Sequence, residues 1–246
     1  MKRTMVIGDI HGGLRALRQV FERAGITAAD KLIFLGDYVD GWSESASVID
    51  WLINLEKTNE CVFLKGNHDD WCEEWLSSGR INTTWLNHGG EETIMSYADT
   101  DIATRSMHLQ FLARLPYYLT DDENRLFVHA GFTAGGGPKK EDNITELNRD
   151  RTLWELAVAA HLRAKPGSFF YPKKLGLFKE IYIGHTPTLY FDEEIPMQQC
   201  NVWNIDTGAA FSGKLSILDI DTKQYWQSDP VHELYPGETG RNRSDC

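Results

Sequence analysis

Six short apolar runs recur along the chain, each closed by glycine or a polar residue. They are TMVIGD (4–9), KLIFLGD (31–37), CVFLKGN (61–67), RLFVHAG (125–131), IYIGHT (181–186) and VWNIDTG (202–208). Runs this short, rich in Val, Ile and Phe, predict buried strands rather than helices. Between the first three lie stretches with helical spacing: Leu14, Leu17, Val20 and Phe21 within 13–24, and Val48, Ile49, Leu52 and Leu55 within 45–56. Strand, helix, strand, helix, strand predicts right-handed crossovers and a parallel sheet. The region 70–115 reads as helical, clearest at RSMHLQFLARL before Pro116, and a further helix is predicted over 145–164, ending at KPG (165–167). The stretch 213–229 predicts two strands joined by a turn near Asp221, and AGGGPKK (134–140) a loop. A single domain over 1–235 is expected, with 236–246 a flexible tail.

Composition narrows the class without naming it. A 246-residue chain can bury a substantial core, and 41% hydrophobic with 25% charged residues is ordinary for a globular protein. Its formal net charge of −11 disfavours nonspecific binding to nucleic acid or anionic membrane. Cys61, Cys72, Cys200 and Cys246 are scattered, which argues against a thiolate zinc site or a disulfide framework. Reduced thiols in a cytoplasmic protein are the simplest expectation. The opening MKRTMVIGDIHG lacks the apolar stretch of a signal peptide, and no run approaches a membrane span.

The chemistry lies where the strands stop. Asp9 and His11 follow the first run, Asp37 and Asp40 the second, Asn67 and His68 the third, and His129, His185 and Asp206 the later ones. In open α/β sheets ligands collect outside the carboxyl ends of the strands. Asp, Asn and His together suit Mn, Fe, Zn or Mg rather than copper or an iron–sulfur cluster. One Asp after a strand is commonly a turn former or a helix cap. Turns alone do not explain so many strand ends with the same chemistry.

The blocks GDIHG (8–12), GDYVDGW (36–42), GNHD (66–69), HAG (129–131) and GHTP (184–187) resemble the signature blocks of the calcineurin-like metallophosphoesterases. More narrowly they resemble the bacterial, lambda-phosphatase-like branch of Ser/Thr phosphoprotein phosphatases. The resemblance implies an α/β fold, a β-sandwich flanked by helices in four layers (α/β/β/α), with a dinuclear metal site at the strand C-terminal ends. It implies that Asp9, His11 and Asp37 hold one metal and Asp37, Asn67, His129 and His185 the other. Asp37 then bridges two divalent ions, Mn²⁺ first in expectation and Fe, Zn or Mg as alternatives. His68, beside Asn67, is the expected general acid, and by resemblance Asp40 keeps it oriented and protonated. Asp40 as a cap for a helix starting near Ser43 is the plain alternative.

The pattern also departs from the family. Its usual GDxVDRG has an arginine that grips phosphate, and here that position is Gly41. Arg151, together with Asn67, is the expected substrate contact in its place, with Arg149 and the lysines of PKK (138–140) as alternatives. His88 and His161 read as ordinary helix residues, Asp206 as a turn former or a histidine buttress. Trp42, Trp71 and Trp75 fall near the mouth, where core packing competes with a groove wall. The leading expectation is a phosphomonoesterase of the Ser/Thr protein phosphatase type, acting on a phosphorylated protein or a small phosphoester. The alternative is a dinucleoside polyphosphate (diadenosine tetraphosphate) hydrolase. A noncatalytic metal-binding scaffold is opposed by the presence of both His68 and Asp40.

Overall fold

The computed structural model describes residues 2–165 and 167–242. Its ten strands are β1 Thr4–Ile7, β2 Lys31–Phe34, β3 Glu60–Phe63, β4 Tyr118–Thr120, β5 Arg125–Val128, β6 Glu180–Ile183, β7 Met197–Gln199, β8 Val202–Asn204, β9 Ser216–Asp219 and β10 Tyr225–Gln227. They form two five-stranded sheets, in the orders β10-β9-β1-β2-β3 and β4-β5-β6-β8-β7. β1, β2 and β3 run parallel, as do β5, β6 and β8, while the remaining strands pair antiparallel at the flanks.

The alternation of side chains explains why every central strand is apolar on both faces. In β1, Met5 and Ile7 join the large cluster under the helices, whereas Val6 joins a second cluster with Ile33, Leu64, Phe127, Tyr182 and Leu218. That second cluster draws on both sheets and is the interior of the sandwich. A third, with Leu126, Val128, Leu153, Trp154 and Ile181, seals the outer face of the other sheet beneath the helix Thr152–His161. The four-layer α/β/β/α arrangement expected from the sequence is the one observed.

The crossover helices are α1 Leu14–Ala24 and α2 Ser45–Leu55, and α3 Asn67–Ser78 follows β3. α1 buries Leu14, Leu17, Val20 and Phe21 and stops at Gly25, whose φ of +56° suits a left-handed cap. The predicted helix over 145–164 is broken. A 3₁₀ turn spans Ile144–Asn148, and a new helix starts at Thr152, because the Asp150 carboxylate accepts hydrogen bonds from the Thr152 and Leu153 amides. That helix ends at His161, and Pro166 of KPG lies outside the described residues. The edge strands β4 and β7 carry no apolar alternation strong enough to predict them.

The stretch expected to be a flexible tail from 236 is anchored to the body of the protein as far as Arg241. Glu238 accepts hydrogen bonds from the Ser43 amide (3.0 Å) and hydroxyl (2.7 Å), and the Arg241 amide donates to Ala210 O at 2.8 Å. Residues 243–246, with Cys246, lie outside the described residues. The other three cysteines are unpaired. No described helix is long and apolar enough to cross a membrane.

Candidate metal centre

The loops after β1, β2, β3, β5, β6 and β8 meet at one edge of the sandwich. Backbone bonds join them: Ile10 and His11 N–H both donate to Asp37 O (3.0 and 2.9 Å), Gly12 to Tyr38 O (2.9 Å) and Gly184 to His129 O (2.8 Å). The Asp69 carboxylate accepts from the amides of Asp37, Tyr38 and Gly66, which locks the second loop onto the third. The approach is so close that a Cβ on Gly66 would lie 2.3 Å from the Asp37 amide nitrogen, and one on Gly184 would lie 2.1 Å from Asp9 Oδ1. The G in GNHD and in GHTP is therefore steric.

Asp9, His11, Asp37, Asn67, His129 and His185 are brought together. His11 Nε2 lies 3.5 Å and His129 Nε2 3.3 Å from Asp37 Oδ2, His129 Nε2 is 3.3 Å from Asn67 Oδ1, and the His185 amide donates to Asp9 Oδ2 at 3.1 Å. Each of two trios, His11–Asp37–His68 and Asp37–His129–His185, has its ligand-type atoms within 4.8 Å of one another. Both trios contain Asp37. The first includes His68, where the sequence pattern placed Asp9; Asp9 Oδ2 lies 3.9 Å from His11 Nε2.

The donor set fits cations. Nδ1–H of His11 donates to Asp40 O (3.0 Å) and that of His129 to Leu35 O (2.9 Å), so each Nε2 can offer a lone pair to a metal. Asp9 Oδ1 is buried with no hydrogen-bond partner. Burial, then the neighbouring Asp206 charge, raise Asp9 well above the usual carboxylate range. Burial also pushes Asp37 upward, but the surrounding imidazoles, His129 first, outweigh it and hold Asp37 well below that range. Burial opposes charge on His129, yet Asp37 and Asp9 push it up to about 10. A buried acidic cluster that recruits a proton onto histidine is one that a divalent cation can satisfy instead.

Asp40 serves a different neighbour. Its Oδ2 meets His68 Nδ1 at 2.6 Å and accepts from Trp85 Nε1 (2.8 Å), while Oδ1 accepts from Thr93 Oγ1 (2.6 Å). α2 begins only at Ser45 and has no side-chain cap, so Asp40 is not its cap. Burial raises Asp40 to about 8 against the hydrogen bonds from Thr93 and Trp85, and burial lowers His68 well below its ordinary value. The two groups thus hold one proton between them near neutral pH.

The pocket over the cluster measures about 330 Å³ and is lined by Asp37, Asn67, His68, Trp71, His88, Arg149, Arg151, His185, Tyr190 and Arg241. Arg151 reaches it, donating to Thr186 Oγ1 at 3.2 Å, and Arg149 pairs with Asp70 at 3.2 Å. Lys139 and Lys140 are not among its lining residues. Trp42 is core, stacked on Tyr235 at 5.2 Å, and Trp75 is core beside Trp85; Trp71 forms the wall next to His68. His88 sits on the rim rather than being a plain helix residue, His161 is exposed, and Asp206 fixes the turn through the Gly208 amide. Sequence reasoning missed Trp85, Thr93, Tyr190 and Arg241. The one hint was GG in LNHGGEE: Gly89, at φ +99°, accepts from the Gly41 amide at 3.2 Å, and a Cβ there would lie 2.5 Å from that nitrogen.

Fold and cluster together define a metal-dependent phosphoesterase, and comparison with known proteins agrees. Residues 2–207 match the calcineurin-like phosphoesterase family, and the chain belongs to it. Among its relatives, the asymmetrical bis(5'-nucleosyl)-tetraphosphatase PrpE of Anoxybacillus flavithermus is 27% identical over 228 residues, covering 87% of this chain and 88% of the relative. A solved structure described as a putative diadenosine tetraphosphatase superposes with a TM-score of 0.63 at 15% identity, covering 92% of both chains. A Ser/Thr phosphatase from Saccharomyces cerevisiae reaches 0.57 at 18% identity, covering 89% of this chain and 73% of the other. At those identities the two structural likenesses speak for the fold.

Proposed function

We propose that the chain is a metal-dependent hydrolase of dinucleoside tetraphosphates, which reverses the order of the two enzymatic readings taken from the sequence. The observation that carries this is the match to the asymmetrical tetraphosphatase PrpE, which spans 87% of this chain and 88% of that one. Arg149, Arg151 and Arg241 around one pocket support it, since a tetraphosphate bears more negative charge than a phosphomonoester.

In this reading Asp9, His11 and Asp37 would hold one divalent ion and Asp37, Asn67, His129 and His185 would hold the other, with Mn²⁺ the first candidate. Two such ions would lower the pKa of the attacking water and offset charge building up on phosphate oxygens. The protein's own part is to orient and to move a proton. Asn67 and Arg151 face the phosphate, and Trp71 and Tyr190 wall the pocket. His68 presents Nε2–H to the leaving oxygen while its Nδ1 stays on Asp40. When that proton leaves, the proton shared with Asp40 settles on Nδ1, so the pair passes on one proton and ends as neutral imidazole and carboxylate.

The deciding experiment is a turnover panel on metal-freed protein, with Mn, Mg, Zn and Fe each added back. Diadenosine tetraphosphate should be cleaved to ATP and AMP with a higher kcat/KM than p-nitrophenyl phosphate or a phosphoserine peptide. A phosphopeptide turned over readily while the tetraphosphate stays intact would return the protein to the protein-phosphatase reading.

A further inference from the structure

We propose that Arg241, carried over the metal pocket by the C-terminal segment, binds substrate phosphate. The inference deepens the phosphoester-hydrolase reading and rests on it. Pocket lining and an unengaged guanidinium carry it. The Arg241 side chain lines the pocket that holds Asp37, Asn67, His68 and His185. Its guanidinium makes no hydrogen bond or ion pair with a described residue, whereas Arg149 is engaged with Asp70 and Arg151 with Thr186. A half-buried cation that makes no ion pair with a described residue, facing a phosphoesterase pocket, is placed to receive an anion, and the planar guanidinium fork matches phosphate oxygens in pairs.

The segment that delivers it is fixed. The Arg241 amide donates to Ala210 O, and its Cζ stands 5.2 Å over the Phe211 ring. Gly240 lies so tightly on Trp42 that a Cβ there would be 2.6 Å from Cζ2 of the indole. Glu238 anchors the same strap to Ser43. The arginine stem also fills the space beside Asp40: a Cβ on Gly41 would lie 3.4 Å from Arg241 Cγ. Gly41 at φ +115° accepts a side chain only with strain, so the cation beside Asp40 comes from a distant part of the chain.

The test compares Arg241→Met, which keeps the stem against Phe211 and Gly41 without the charge, with Arg241→Lys, which keeps a charge. Metal content and melting temperature are recorded for both. Arg241→Met should lower kcat/KM roughly tenfold or more, mainly through KM, on both p-nitrophenyl phosphate and diadenosine tetraphosphate. It should weaken calorimetric binding of inorganic phosphate to the metal-loaded protein by a similar factor. Arg241→Lys should recover part of both losses, and metal content should match wild type. Wild-type phosphate affinity and KM in Arg241→Met would overturn the proposal. So would a loss that comes with lost metal, which would make Arg241 a scaffold residue. If wild-type protein leaves the tetraphosphate intact, the substrate reading fails, and phosphate affinity still decides Arg241.

Discussion

His11, Asp37, Asp40 and His185 all have positive φ, +51°, +54°, +72° and +67°. Left-handed backbone at a non-glycine residue costs on the order of 1–3 kcal/mol, so the surroundings must enforce it. Here they do: Asp37 is held by its own amide on Asp69, and Asp40 by its amide on Thr93 and Ser45. The strain turns each side chain inward at the point where its strand ends. For the proton donor this makes a prediction. His68→Asn should lower kcat by ~10²–10⁴-fold on alkyl phosphates, with metal content unchanged, and by less on aryl phosphates, whose leaving groups need little protonation. Asp40→Asn should act in the same direction and more mildly. If His68→Asn instead loses metal, the trio His11–Asp37–His68 is a coordination site and His68 is a ligand. Asp40 and His68 were legible because each sits inside a short block of sequence. Thr93 and Trp85, which hold Asp40, lie 53 and 45 residues from it, in helical stretches whose pattern says nothing about what they face. Arg241 was hidden for the same reason, whereas Arg151 is expected by resemblance to bacterial sequences with a basic residue near an LW pair.

At the scale of elements, the parallel strands were legible because their apolar runs are buried on both faces, which leaves little else for such runs to be. Where a strand meets an edge, or a polar residue resets a helix, that signal fails, as at β7 and at Asp150. The strand starts depend on polar contacts too. Arg3, just before β1, grips Asp30, just before β2, through Nε (3.0 Å) and Nη2 (2.7 Å), and the Thr27 amide adds a third bond to the same carboxylate. The hydrogen bonds from Arg3 lead in holding Asp30 at about 2, below its ordinary value. A depressed carboxylate stabilises the fold above its unfolded pKa of roughly 4 and loses that contribution as pH falls toward the folded value. Asp30→Asn should therefore cost about 1–2.5 kcal/mol at pH 7 by chemical denaturation, the linkage energy of such a shift. The gap from wild type should narrow as pH drops from about 4 toward 2. A gap that is constant across that range would mean the contact is steric rather than ionic.

Across the whole molecule, the two sheets bring acids from opposite halves of the chain into one dry cluster. Asp9 and Asp37 come from the first sheet and Asp206 from the second, each almost fully buried. Burial raises Asp206 to about 6, and the nearby Asp37 charge pushes it the same way. Such a cluster favours separation of its parts until cations neutralise it, which ties metal content to the stability of the sandwich as well as to turnover. The C-terminal strap belongs to the same design, although its Gly-rich, polar sequence reads as a tail. Its anchors are 195 residues away at Ser43, a distance no local pattern encodes. Metal removal should therefore abolish turnover and lower the melting temperature together. A ligand held at a hundred times its Kd stabilises by about 2.7 kcal/mol. For a domain of this size that corresponds to about 5–11 °C. Calorimetry of chelated and Mn²⁺-reloaded protein, run with the activity assay on the same samples, checks both halves. Unchanged melting with lost activity would mean the fold carries its buried acids without help, by protonating them. Activity surviving exhaustive chelation would overturn the metal-dependent reading itself.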